Sequence, residues 1–484
     1  MPNNVRQTDS NDLLVRSHAA VWHPCTQMKH HENFPLLPIA RGSGVWLYDY
    51  DNKRYLDAVS SWWVNLFGHC NPRINAAITD QLGKLEHVML AGFTHEPVVQ
   101  LSERLGELAP EGLGHCFYAS DGASATEIAL KMSAHYWRNS GKPDKTQFLS
   151  LENSYHGETL GALSVTDVAL FRGAYGALIR QQATVPSPDW RKAAAGESSG
   201  AYALRCAAAL EQHLQKFHKQ LAAFIIEPLV QGAAGMAMYD PIYLQRARQL
   251  CDEYGVHLIA DEIAVGMGRT GTLFACEQAP THSHRTHPHP GCPLASLSPS
   301  EGKGAIAPSL SRGGLGRGWG ITPDFLLLSK GITGGYLPLS VVMTRDEIYQ
   351  AFYADETVRG FLHSHSYTGN PLACRAALAT LDIFAQDNVL AANRDKAAYL
   401  NEIARPLREH RAVHNWRNTG MIWAFEAESP HRDFAQRCFA LALENELLLR
   451  PIGKTVYFMP PYTINNEEMD FLVNRTLQII DQLS

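Results

Sequence analysis

The sequence predicts an α/β fold: a large domain built on a mostly parallel sheet flanked by helices, with a smaller α/β domain beside it. Three observations carry that prediction. Short apolar runs rich in β-branched and aromatic residues recur from about Cys116 onward. They are near-continuous rather than alternating, which is the pattern of strands covered on both faces. Segments of helical periodicity lie between them.

Taken in order, the expected strands of the large domain are 116–120 (CFYAS), 146–152 (TQFLSLE), 223–227 (AFIIE), 256–261 (VHLIAD), 325–330 (FLLLSK) and 340–344 (SVVMT). Helical patterns at 124–138 and 241–254 fall between them. Upstream, 44–57 reads as a hairpin turning at Asp51-Asn52. Downstream of about Asn370 come long helical patterns and a late strand at 455–459. Residues 1–65 and 370–484 are therefore expected to form the smaller domain around a large domain of 66–369. One stretch, about 280–318, is rich in His, Ser, Gly and Pro without periodicity, and reads as a disordered or loosely ordered surface insertion. Its histidines, His282, His284, His287 and His289, alternate with prolines and lack a carboxylate, so no metal site is expected there.

Composition narrows the function. Charged residues make up 19% and hydrophobic ones 45% of 484 residues, as in an ordinary globular enzyme. A net charge of −6, with no basic cluster interleaved with aromatics, argues against nucleic acid or anionic membranes as partners. Nine scattered cysteines without CxxC spacing, and a polar N-terminus, suggest a cytoplasmic protein.

Polar residues recur where strands end: Asp121, Glu227, Asp261 and Lys330. In open α/β sheets the ligand crevice lies at the carboxyl ends of the strands, so these four are expected to converge. Lys330 is the most informative of them. A buried ammonium is costly unless it is paired or loses its charge, and that cost makes the amine nucleophilic towards an aldehyde. Asp261 could hold a ring nitrogen protonated, and Ser120-Asp121-Gly122 opens a helix whose free N–H groups suit a phosphate. Tyr155-His156-Gly157 offers a flat ring beside a glycine. The segment 266–271 (GMGRTG) matches a dinucleotide-binding pattern, but lacks the helix and downstream acid that pattern needs. A nicotinamide-dependent oxidoreductase is therefore disfavoured.

Asp261-Glu-Ile, Lys330-Gly, Tyr155-His-Gly and 363–371 (HSHSYTGNP) together resemble the class III aminotransferases of fold type I. The resemblance implies pyridoxal 5′-phosphate as cofactor. Lys330 would hold its aldehyde as a Schiff base, Asp261 would pair with the pyridine nitrogen, and Tyr155 would stack near the ring with His156 beside it. These imply catalytic roles for Lys330, Asp261 and Tyr155. Backbone at Asp121 and Gly122 would bind the phosphate, completed by His365 and Ser366 of the other subunit of a homodimer. Segments 22–28, 60–65, 230–235, 449–451 and 459–462 are similar to the branch of this class that makes 7,8-diaminononanoate for biotin. That implies S-adenosyl-L-methionine as amino donor and 8-amino-7-oxononanoate as acceptor, in a ping-pong cycle. Trp62, Tyr155, Lys330, Ser364 and Arg450 would then contact substrate, Arg450 through the acceptor's carboxylate. Three positions depart from the pattern: Cys25 where some members have Tyr, Glu158 where Asp is common, and Ser364 where Gly is common. They leave open lysine as donor, or another class III ω-aminotransferase activity. A catalytically silent protein is a further alternative, should the insertion separate the Asp261 and Lys330 strands or block cofactor entry.

Overall fold

A computed structural model of the protein describes residues 10–32, 34, 36–280 and 320–484. Almost all of the His/Ser/Gly-rich insertion, including its four histidines, lies outside the described residues.

The core is a seven-stranded sheet in the order His115–Ala119, Ser340–Thr344, Phe325–Leu328, His257–Asp261, Leu221–Ile226, Gln147–Leu151 and Ala183–Val185. Every expected large-domain strand is present. All run the same way except Ser340–Thr344, which pairs antiparallel with both neighbours. The short connection before it, 329–339, holds no crossover helix, so it can only return the chain antiparallel. Four of these strands are buried along their whole length, as their unbroken apolar runs require.

Helices on the two faces have clear local causes. Gly122–Asn139 starts where the Asp121 carboxylate accepts the Ser124 N–H at 2.9 Å. Ile242–Tyr254 stops at Gly255, whose φ of 61° places it in the left-handed conformation that ends helices. Pro371–Gln386 begins at Asn370, whose side chain accepts from Leu372 and Ala373 N–H, with proline in the first turn.

Both chain ends meet away from this sheet. The expected hairpin is Trp46–Asp49 with Arg54–Asp57, and Leu447–Leu448, a strand not expected from the sequence, adds to it in parallel. A second small sheet joins Val413–Thr419, Ile422–Ala427 and Thr455–Phe458.

The insertion does not part the site strands. Asp261 pairs with Leu327 in register, so the Asp261 and Lys330 strands are direct neighbours. Its borders are pinned together: Ile321 N–H donates to Cys276 O at 3.2 Å. Gly320 packs so closely there that a Cβ would come 2.0 Å from Cys276 O.

The opposite edge of the sheet buries ionisable groups for structure. His257 stacks on Trp137 at 4.6 Å and meets Ser133 Oγ at 2.9 Å. Burial pushes its pKa down to about 4. Since the unfolded ring titrates near ~6.5, acidification protonates the unfolded state first and removes stability as pH falls from ~6.5 towards 4. Replacing His257 by Gln is expected to flatten that part of the stability profile, measured as the urea midpoint between pH 7 and pH 4.5.

Candidate active site

Strand direction builds the site. Gln147–Leu151, Leu221–Ile226, His257–Asp261 and Phe325–Leu328 lie side by side and parallel. Their carboxyl ends therefore deliver Tyr155-His156, Glu227, Asp261 and Lys330 to one edge of the sheet.

Lys330 is not the last residue of its strand, as expected from the sequence. The strand ends at Leu328, and Lys330 opens a tight turn with φ 46°. That left-handed conformation is unfavourable for a lysine, so the surrounding packing must hold it. Gly335 allows the fit: at φ 88°, a Cβ there would lie 2.8 Å from the backbone of Asn65. The Lys330 ammonium lies 4.5 Å from the ring centroid of Trp63. Burial lowers its pKa to about 8, against the opposing pull of Asp261 and Glu227.

Asp261 is buried and fully engaged. Its Oδ2 accepts from His156 Nδ1 at 2.7 Å and its Oδ1 from Ile263 N–H at 3.1 Å. His156 is only 2% exposed, and its Nε2 has no hydrogen-bond partner. Next to Asp261, the buried Glu262 accepts the N–H groups of Ala275 and Cys276 at 2.7 and 2.8 Å. It thereby ties the following loop beneath the site, and burial raises its pKa to about 7.

Tyr155 stands half-buried, its hydroxyl donating to Glu158 Oε1 at 2.9 Å and its ring 5.2 Å from that of Phe171. Cys25 lies within electrostatic reach of Glu158 and Arg450, and burial raises its thiol pKa. The three departures thus fall in two places, with Cys25 and Glu158 beside Tyr155 and Ser364 elsewhere.

Asp121 does not join the buried cluster. It is exposed, and its carboxylate caps its own helix through the Ser124 N–H and hydroxyl. What reaches the site is the helix end itself. Gly122 sits against Ile263, where a Cβ would come 2.9 Å from the side chain, and Gly157 sits against Ala123. The first N–H groups of this 18-residue helix therefore open beside the Asp261 loop.

The second wall comes from the chain ends. Ser60, Ser61, Trp62 and Trp63 form a turn with φ between 47° and 72° at all four residues. Asp57 holds it by accepting Ser61 N–H at 2.9 Å and Ser61 Oγ–H at 2.7 Å. Arg269, inside the GMGRTG segment, clamps it from below through Ser60 Oγ and Asn65 O. That segment is a series of tight turns with no helix at Gly271, so its dinucleotide-like pattern has no dinucleotide context. Trp63 is buried and donates to the Tyr457 hydroxyl at 3.1 Å. Trp62 is 43% exposed, with the Arg450 guanidinium 4.8 Å from its ring centroid.

Ser364, His365 and Ser366 lie elsewhere. They sit on a partly exposed loop, tied through His363 to Lys131 at 2.7 Å. Among the described residues, no hydrogen bond or ion pair joins them to Lys330 or Asp261.

A half-buried amine of lowered pKa, a buried carboxylate, a flat ring and a helix N-terminus along one edge of the sheet fit a phosphorylated aromatic aldehyde. The family model for "Aminotransferase class-III" matches residues 26–284 and 313–480. The chain belongs to the class-III aminotransferases, which use pyridoxal 5′-phosphate. It is 43% identical over 471 residues to the adenosylmethionine-8-amino-7-oxononanoate aminotransferase of Helicobacter pylori, covering 96% of each chain. The crystal structure of the enzyme of that name from Methanocaldococcus jannaschii superposes with a TM-score of 0.84 at 32% identity, covering 98% of this chain and 100% of that one. An amine transaminase from an uncultivated Pseudomonas species, solved in its PLP-bound form, gives 0.82 at 29% identity over 96% and 99% of the two chains.

Sequence reasoning missed the His156–Asp261 bond, which only the fold reveals. It also left Glu227 without a role, although its place at a strand end was the available signal.

Gly157, at φ 121°, leaves no room for a side chain: a Cβ would come 2.5 Å from the Ala123 Cβ. Gly157→Ala is expected to cost about 2–4 kcal/mol of stability and to weaken cofactor binding. Thermal melts and absorbance titration with pyridoxal phosphate check both.

Proposed function

We propose that the protein transfers the amino group of S-adenosyl-L-methionine to 8-amino-7-oxononanoate, giving 7,8-diaminononanoate in biotin synthesis. The observation that carries the choice of substrates is the near full-length similarity to relatives named for that reaction. When bound, pyridoxal phosphate supplies an aldehyde that takes up the amine and a ring that draws electrons from the substrate's Cα.

The chain's residues do the rest. Asp261, oriented by His156, would hold the proton on the cofactor's ring nitrogen. The amides at the start of the Gly122–Asn139 helix would take its phosphate, and Tyr155 would cover one face of its ring. Lys330 Nζ is the covalent anchor. Freed by the donor amine, it would take the proton from the donor's Cα and deliver it to the cofactor's aldehyde carbon, and would run the same transfer in reverse with the acceptor. A pKa near 8 suits both tasks at neutral pH. Trp62 and Tyr155 line the pocket for both substrates, while the exposed Arg450 fork beside Trp62 binds the acceptor's carboxylate. Ser364 is read as a further substrate contact.

We also infer a homodimer in which His365 and Ser366 complete the partner's phosphate site, supported by their place on an exposed loop. Exposed apolar side chains at Met89, Phe93, Leu362 and Tyr367 support the same reading. The cysteines described are all free thiols, which supports a cytoplasmic location. Among the described residues, no helix is long and apolar enough to cross a membrane. Residues 1–65 and 370–484 are read as one smaller domain beside 66–369, supported by the sheet that both chain ends share.

With 8-amino-7-oxononanoate as acceptor, S-adenosyl-L-methionine is expected to support product formation and L-lysine is not. Product formed with lysine alone would reverse the donor assignment. Arg450→Ala is expected to raise KM for the acceptor by roughly 10–100-fold while changing the donor's KM less than about threefold. Steady-state kinetics with each substrate varied checks this.

A further inference from the structure

Glu227 ends the Leu221–Ile226 strand between Tyr155 and Lys330, and it is 6% exposed. Its two oxygens are taken by backbone amides from two different loops. Tyr155 N–H donates to Oε1 at 3.1 Å and Gly232 N–H to Oε2 at 2.9 Å. Its own backbone is fixed as well, because the Tyr239 hydroxyl donates to Glu227 O at 2.6 Å.

Each amide leads to a wall of the site. Tyr155 carries the flat ring. Gly232 lies flat against Trp63, where a Cβ would come 3.0 Å from two atoms of the indole. The Lys330 ammonium rests on that same indole. One carboxylate therefore spans from the loop that presents Tyr155 to the loop that supports Trp63 beneath Lys330.

Its hydrogen-bond donors are all neutral. Asp261 is committed to His156 and Ile263, whereas Glu227 is held by amides that stabilise its charge without neutralising it. The charged and titratable groups that face it are His156, Asp261, Lys330, Tyr155 and Tyr239. Of these, only Lys330 and His156 can supply positive charge.

We propose that Glu227 is a positioning residue: it sets the spacing between the Tyr155 and Trp63 walls and, with Asp261, supplies the negative charge that lets the Lys330 amine hold a proton. This rests on the reading that Lys330 carries a proton between substrates. Burial pushes the Glu227 pKa up to about 7, so the charge is fully present above neutrality and fades as pH falls.

Two variants separate spacing from charge. Glu227→Gln keeps the shape, loses the charge, and turns an N–H towards one of the two amides. Glu227→Asp keeps the charge but falls short of one amide. The reactivity of Lys330 towards trinitrobenzenesulfonate is measured against pH on the full chain freed of cofactor, with the Lys330 peptide quantified by mass spectrometry. Glu227→Gln is expected to lower the apparent pKa of Lys330 by about one unit, and Glu227→Asp to leave it near the wild-type value. Both are expected to lower kcat/KM about tenfold or more in the loaded enzyme.

A folded Glu227→Gln protein with an unchanged Lys330 profile would overturn the proposal. So would wild-type kinetics in Glu227→Asp, which decides the matter alone if the glutamine variant does not fold. Labelling is read without cofactor or substrate, so it is decided separately from whether the protein transfers amino groups.

Discussion

Removing an ammonium group from water costs several kcal/mol, and the active site depends on how that cost is met at Lys330. The compensation comes from Asp261 and Glu227, two carboxylates that raise the proton affinity of an amine that burial would otherwise empty. Neither belongs to the strand that carries the lysine. Both arrive because Leu221–Ile226, His257–Asp261 and Phe325–Leu328 are consecutive and parallel, so their ends fall along one edge. The direction of the sheet is thus an electrostatic requirement as well as an architectural one. An amine balanced in this way is basic enough to take a proton and, once protonated, acidic enough to give it up.

A second constraint acts through the chain ends. Four successive non-glycine residues, Ser60 to Trp63, adopt the left-handed conformation, which costs about 1–2 kcal/mol per residue. Such a turn survives only if its surroundings over-determine it. Here Asp57 holds its backbone from one side and Arg269, fully buried, from the other. The strain turns Trp62 outwards and places Trp63 against the Lys330 ammonium. The parallel pairing of Leu447–Leu448 with the Leu56-Asp57 strand then brings Arg450 over the exposed indole.

Much of this was legible in the sequence, for definite physical reasons. Strands buried on both faces write themselves as unbroken apolar runs, so all the expected strands of the large domain were found, and polar residues interrupting such runs marked Glu227, Asp261 and Lys330. What was hidden depends on contacts between distant segments. The pairing of His156 with Asp261 spans two strands, and the meeting of Trp62 with Arg450 requires both chain ends in one sheet. The left-handed turn at 60–63 has no glycine to announce it, since tertiary contacts rather than local preference hold it there. Asp121 stands at a strand end without joining the buried cluster for a related reason: its carboxylate is taken up in capping its own helix.

The central claim is that Lys330, rather than any other lysine of the chain, carries the cofactor. Borohydride reduction of the pyridoxal phosphate-loaded protein, followed by proteolysis and peptide mapping, tests it directly. The account predicts a single phosphopyridoxyl group on Lys330, formed in proportion to the bleaching of the visible absorbance. A stable adduct on a different lysine, or bleaching with Lys330 unmodified, would contradict it.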